Sequence, residues 1–179
     1  VGVTAEVFDN RIENLVQFAL VGNNPAGLLV FSPRNVEAAR TRGVELGARV
    51  DVGAWRARAE YAFLDAFNEE TGLTLDRRAE HTALARLGRT LDIRSGVDLD
   101  VSLIYTGDSP LIGTGDDGLP AVVATQEALT SIDVQTRFEV LRGYTLTAGV
   151  QNLFNDNPAG WQGINQRRLR LGIEARDIF

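Results

Sequence analysis

The sequence predicts an all-β fold, a transmembrane antiparallel up-and-down β-barrel. Three observations carry this expectation. Apolar and polar residues alternate with period two in segment after segment, which places one set on each face of a strand. The polar set is rich in Arg, Asp and Glu, as in a barrel with lipid outside and a charged lumen inside. Several segments also reach the roughly 9–11 residues that a tilted strand needs to cross a bilayer, against about 5–6 for a common globular strand.

Taken in order, residues 1–8 set Val1, Val3, Ala5 and Val7 against Thr4 and Glu6. Asp9-Asn10-Arg11 reads as a short turn, because Asp and Asn side chains readily bond their own backbone. Residues 13–20 read as a less regular strand and 21–35 as a long loop around Gly-Asn-Asn-Pro-Ala-Gly. The next strand opposes Val44, Leu46, Ala48 and Val50 to Glu45 and Arg49; after a turn at 51–54, Trp55, Ala57, Ala59, Tyr61 and Phe63 oppose Arg56, Arg58 and Glu60. A long loop at 67–80 leads to strand 81–91, a turn at 92–96, and a strand with Val97, Leu99, Val101, Leu103 and Tyr105 against Asp98, Asp100 and Ser102. The longest loop, 107–129, precedes Ile132, Val134, Thr136, Phe138 and Val140 against Asp133, Gln135, Arg137 and Glu139. A turn at 141–143 joins this to Tyr144, Leu146, Ala148 and Val150, followed by a loop at 155–166. The last strand sets Leu169, Leu171, Ile173, Ala175 and Phe179 against Arg168, Arg170, Glu174 and Arg176, with Asp177 alone out of pattern.

Short and long connections alternate, as expected of a meander with short periplasmic turns and long outer loops, and Phe179 then ends on the periplasmic side. The count is about nine strands. An odd number conflicts with the even number usual in bacterial single-chain barrels, so either strands are missing or one segment is misdrawn.

Composition bounds the alternatives. The 179 residues are 44% hydrophobic, ordinary for a soluble domain, but half of each spanning strand is polar, so a barrel leaves no hydropathy peak. The absence of cysteine excludes disulfides and thiolate metal sites. A net charge of −6 with interleaved arginines disfavours nucleic acid as a partner. The chain has no Met, even at position 1, and no charged-then-apolar leader. It is therefore expected to be part of a longer protein.

The residues also suggest a family. Gly149-Val150-Gln151-Asn152-Leu153-Phe154-Asn155 resembles the penultimate-strand signature of TonB-dependent outer-membrane receptors. Arg42-Gly43-Val44-Glu45, Tyr61-Ala62-Phe63-Leu64-Asp65-Ala66, Phe8-Asp9-Asn10-Arg11-Ile12 and Arg77-Arg78-Ala79-Glu80-His81 are similar to other segments of that family in the same order. Two departures stand out: Ala79 where Pro is usual, and Trp161 with Asn165-Gln166-Arg167 at the start of the last strand. The resemblance implies that residues 1–179 are the C-terminal part of a barrel of about 22 strands. It further implies a plug domain and a TonB-binding region outside this chain, a bacterial outer-membrane location, and import of a scarce nutrient such as siderophore-bound iron, haem or cobalamin. The partners it implies are outer-membrane lipid, the remaining strands and plug, the TonB complex and the barrel-assembly machinery.

The candidate ligand-facing loop residues are Asn23, Asn24, Asp116, Asp117 and Trp161, and Phe179 is the candidate assembly signal, an exposed edge aromatic open to β-augmentation. No catalytic residue, cofactor or metal is expected. Asp108, Asp116 and Asp117 could offer oxygen ligands to Ca²⁺, but a solvated turn explains them more simply. His81, the single histidine, fits a strand end better than a hydrolase, and the charges of the last strand fit a cross-strand ladder. A stand-alone outer-membrane barrel, either passive pore or enzyme, and a soluble β-sandwich remain as alternatives at this stage.

Overall fold

The computed structural model describes residues 1–93, 96–141, 143–159, 161 and 166–175. Among these described residues ten strands form one sheet: β1 (Gly2–Asn23), β2 (Leu29–Val52), β3 (Trp55–Asn68), β4 (His81–Leu91), β5 (Val97–Thr106), β6 (Ser109–Thr114), β7 (Pro120–Gln126), β8 (Leu129–Leu141), β9 (Tyr144–Gln151) and β10 (Arg168–Ala175). The spatial order is β10-β9-β8-β5-β4-β3-β2-β1-β6-β7. Eight strands thus make an antiparallel meander, the wall. The β6–β7 hairpin belongs to the loop between β5 and β8 and reaches back to β1 through one parallel pair, Leu20↔Gly113.

Two sequence expectations are corrected here. Asp9-Asn10-Arg11 is not a turn: β1 runs straight through it, with Asp9↔Arg42, Asn10↔Thr41 and Arg11↔Arg40 in register. Residues 21–35 are not a long loop, because pairing continues to Asn23↔Leu29 and the connection shrinks to 24–28. Asn24 closes that turn by accepting the N–H of Ala26 (3.0 Å) and Leu28 (2.9 Å) on its side-chain oxygen. The two segments drawn as separate strands are therefore one, and the wall count is eight, an even number. The hairpin within 107–129 was not expected either. The β2–β3, β4–β5 and β8–β9 connections share one end of the wall, and the 24–28 turn, the 69–80 loop and the segment carrying β6 and β7 lie at the other.

The register fixes which side chains share a face, since directly paired residues of an antiparallel sheet point the same way. One row runs Ala48↔Ala59↔Ala85↔Leu103↔Ile132, the next Val50↔Ala57↔Leu87↔Val101↔Val134. The opposite face carries Arg49↔Arg58↔Arg86↔Ser102↔Asp133. On β3 the apolar band runs from Trp55 to Phe63, nine residues, within the roughly 9–11 that a tilted strand needs to cross a bilayer. Aromatics bound it: Trp55 toward the short turns, and Tyr61, Phe63 and Tyr105 toward the long loops.

Burial is sparse because a single sheet has nothing to pack against. The buried cluster is Ala39, Ala66 and Leu75, with Leu15 and Leu64 against it, where the 69–80 loop folds onto the sheet. By contrast Leu46, Leu87 and Leu171 are 47%, 49% and 82% exposed, a continuous apolar face open to its surroundings. One position demands glycine for space: a Cβ on Gly43 would lie 2.1 Å from the Phe63 carbonyl oxygen and 2.8 Å from the ring of Phe8, which covers it.

The facing generates a prediction for the intact barrel. Arg at Leu171 or Val134, both on the apolar face, should cost roughly 2–4 kcal/mol, while Arg at Gln135 on the polar face should cost much less. Reversible unfolding in lipid vesicles measures both, and equal losses would show that the faces are exchanged.

Candidate functional site

On the polar face, charge is neutralised close to home. Arg56 donates to Asp98 (3.1 Å) and to Thr90 Oγ1 (3.0 Å), while Thr90 Oγ1 donates to Asp98 (2.6 Å). Arg49 pairs with Asp51 at 2.8 Å and Arg58 pairs with Glu60. Arg86 donates to Ser102 Oγ (3.1 Å). This ladder occupies β2 to β5. On the last strand Arg168, Arg170 and Glu174 stand in register with Gln151, Gly149 and Thr145, and Arg176 lies outside the described residues.

Loop residues at the other end are organised by side chains reading backbone. Directly after β9 stands Asn152, which is 1% exposed and adopts φ +49°, a conformation Asn tolerates better than most residues. Its amide spans the turn: Nδ2 donates to the Asp156 carbonyl (2.8 Å) and Oδ1 accepts the Asp156 N–H (2.9 Å). Its own N–H donates to Asp133 Oδ1 (2.9 Å), which also accepts Ser131 Oγ (2.9 Å), and Asp156 Oδ2 accepts the Thr130 N–H (3.0 Å). Asn155, at φ +56°, accepts the Arg167 N–H (2.9 Å), turning the chain toward β10. The Asn-Leu-Phe-Asn signature is therefore a knot tying β8, β9 and the last long loop.

The candidate ligand residues fall into two groups. Asn23 ends β1, and Asn24 caps its turn; Asp116 and Asp117 occupy the β6–β7 tip, where Asp117 accepts the Leu119 N–H (3.0 Å). The parallel Leu20↔Gly113 pair sends both hairpins in the same direction, so these two tips stand side by side. Trp161 is elsewhere: its indole N–H donates to the Glu127 carbonyl (2.8 Å), and the Ala159 N–H donates to the Glu127 carboxylate (3.1 Å), binding the 152–167 loop to the foot of β7. Asp108 accepts the Ala128 N–H (2.6 Å) and so closes the base of the hairpin loop. Phe179 lies outside the described residues.

Sequence reasoning missed Asp76, and it singled out Arg77 only as part of a family-like segment, without its contact to β6. Asp76 accepts the Ile112 N–H (2.8 Å), and Arg77, at φ +54°, donates its N–H to the Pro110 carbonyl (2.8 Å) and lays its guanidinium over Phe31 at 5.1 Å. Together they pin β6 to the 69–80 loop. Only the adjacency Asp76-Arg77-Arg78, a turn former before two cations, hinted at it. His81 sits among aromatics, its Nδ1 2.8 Å from Tyr61 Oη and its ring 5.4 Å from that of Phe63. This is a strand-end girdle position.

Eight neighbouring antiparallel strands among the described residues, one face apolar and one charged, with elaborated loops at one end, define a portion of the wall of a large membrane barrel. Residues 1–153 match the family described as TonB dependent receptor-like, beta-barrel, and the chain belongs to that family. It is 28% identical over 149 residues to a vitamin B12 transporter of Photobacterium profundum, covering 83% of this chain and 23% of that protein. Among solved structures, the ferric-catecholate import receptor Fiu of E. coli matches with a TM-score of 0.69 and 20% identity, over 98% of this chain and 25% of that one. A variant of the ferric enterobactin receptor of Pseudomonas aeruginosa matches with a TM-score of 0.73 and 15% identity, over 97% and 28%. The chain thus spans about a quarter of the length of these proteins.

The Asn152 knot gives a prediction. Asn152→Ala loses both side-chain hydrogen bonds and strains the positive φ, and should cost about 2–4 kcal/mol. Asn152→Gly keeps the backbone conformation and should lose less. Thermal unfolding of the parent barrel, with protease cleavage inside 152–167 as a second readout, tests the ranking.

Proposed function

We propose that this chain is the C-terminal part of the barrel of a TonB-dependent receptor in a bacterial outer membrane, importing a scarce nutrient such as siderophore-bound iron, haem or cobalamin. The family match over residues 1–153 carries this reading. The apolar band supports it by fitting a bilayer, and the polar face by fitting a filled lumen. The rest of the wall, a plug and the TonB-binding region would come from outside this chain, because a wall exposing the backbone edge of β10 cannot face hydrocarbon unpaired. The relatives differ in cargo, since one is a vitamin B12 transporter and another a ferric-catecholate receptor. What recognises cargo here would be the side-by-side tips carrying Asn23, Asn24, Asp116 and Asp117, with Trp161 holding the neighbouring loop.

Uptake of labelled ferric siderophores, haem and cobalamin by cells with and without the full-length gene tests the proposal. Gene-dependent uptake that collapses when TonB is deleted is the expected result; uptake unaffected by that deletion would point to a passive pore.

For assembly, we propose that Phe179 is read by the barrel-assembly machinery as the terminal aromatic of an exposed strand edge. Deleting it from the full-length protein should reduce the amount reaching the outer membrane while leaving assembled molecules nearly as heat-resistant. Pulse-chase folding at an unchanged rate would leave Phe179 a rim residue only.

A further inference from the structure

Within the apolar band one residue is out of place. Among the described residues of the wall on the short-turn side of the Val7↔Val44↔Phe63↔His81 row, Arg89 is the one Arg, Lys, Asp or Glu on the apolar face. Its cross-strand partners are Trp55 and Leu99, and its same-face neighbours along β4 are Leu87 and Leu91, so no carboxylate faces it. Its guanidinium is held 4.7 Å from the centre of the Trp55 ring. A guanidinium over an aromatic face keeps N–H groups able to donate, and none of the four neighbouring side chains, Trp55, Leu87, Leu91 and Leu99, carries an acceptor.

Next to this pair the wall is hollowed. Ala57 stands one row above Trp55, and Ala48, Ala59 and Ala85 form the row beyond it. These small residues floor a groove of about 450 Å³, walled by Val50, Leu87, Val101 and Leu103. Neighbouring strands are present on both sides of β3 and β4, so strands from elsewhere in a larger barrel cannot cover it. What remains to fill it is lipid.

We propose that Trp55, Arg89 and the alanine-floored groove form a phospholipid site on the outside of the barrel, near the short-turn rim. The phosphodiester of a glycerophospholipid takes the charge-assisted hydrogen bonds of Arg89, whose stem lies along apolar surface while its head reaches the interface. One acyl chain of the same molecule runs from there up the groove toward the middle of the bilayer. The site supplies the counter-charge that the protein itself withholds from Arg89, and it rests on the membrane reading given above.

Native mass spectrometry of the full-length barrel in detergent, titrated with dioleoylphosphatidylglycerol, tests this. The parent is expected to retain one lipid at least about fivefold more tightly than Arg89→Gln, with Arg89→Lys partly recovering it. Ala85→Phe, which fills the groove, should weaken retention similarly, and Ala59→Leu serves if that variant does not fold. Dioleoylglycerol, with the same chains and no phosphate, should bind no better to the parent than to Arg89→Gln. Equal retention of the phospholipid by parent and Arg89→Gln, or equal retention of dioleoylglycerol and phospholipid by the parent, overturns the site. Recovery of the parent in the soluble fraction without detergent would overturn the membrane reading itself, and is scored separately.

Discussion

A single sheet must satisfy its backbone at its edges and its two faces by different means, and this constraint governs the whole chain. Each interior wall strand finds hydrogen-bond partners on both sides, yet almost nothing is buried, because no second layer lies against either face. The apolar face cannot be left to water, given that Leu46, Leu87, Leu169 and Leu171 there are close to half exposed or more. The charged face cannot be left to hydrocarbon. A bilayer on one side and a polar filling on the other is the arrangement that suits both.

The charged face shows how the wall prepares for that filling. On β2 to β5 the guanidiniums are spent on carboxylates or hydroxyls of the same face, so the surface is polar without a strong local field. At the elaborated end, rigidity comes from a different device: single polar side chains capture backbone groups of distant segments. Asp133, Asp156, Asp108 and Asp76 all act this way, while the Asn152 side chain holds its own turn through the Asp156 backbone. Long loops become parts of the fold, and those that could bear a ligand are presented on a fixed support.

How much of this could be read from residues alone follows the same logic. The faces were legible wherever one side meets lipid, since period-two contrast is then sharp; Trp55 to Phe63 is an example. Contrast disappears where β1 rises past the band. Asp9 and Arg11 meet Arg42 and Arg40 on the outer side while Asn10 points the other way, so both faces are polar and a continuous strand looks like a turn. The β6–β7 hairpin escaped notice for a related reason: its strands are six and seven residues long and carry no alternating charge. The family signature was visible in Asn152-Leu153-Phe154, but its role was not, because register rather than sequence proximity brings Asp133 to it. Asp76 and Glu127 were hidden likewise, each bonding a segment more than thirty residues away.

The even wall count corrected here has an architectural meaning. β1 begins beside the 53–54 turn, where Gly2 pairs with Arg49, and β10 reaches Ala175 beside Tyr144 at the opposite flank of the same rim. Between these two flanks the connections β2–β3, β4–β5 and β8–β9 fall at one rim and the elaborated loops at the other. In an antiparallel meander two strands can be added or removed without inverting the polarity of anything that follows. A barrel assembled from units of this kind can change its circumference, and with it the bore available to cargo, while every outer loop keeps its place at the mouth.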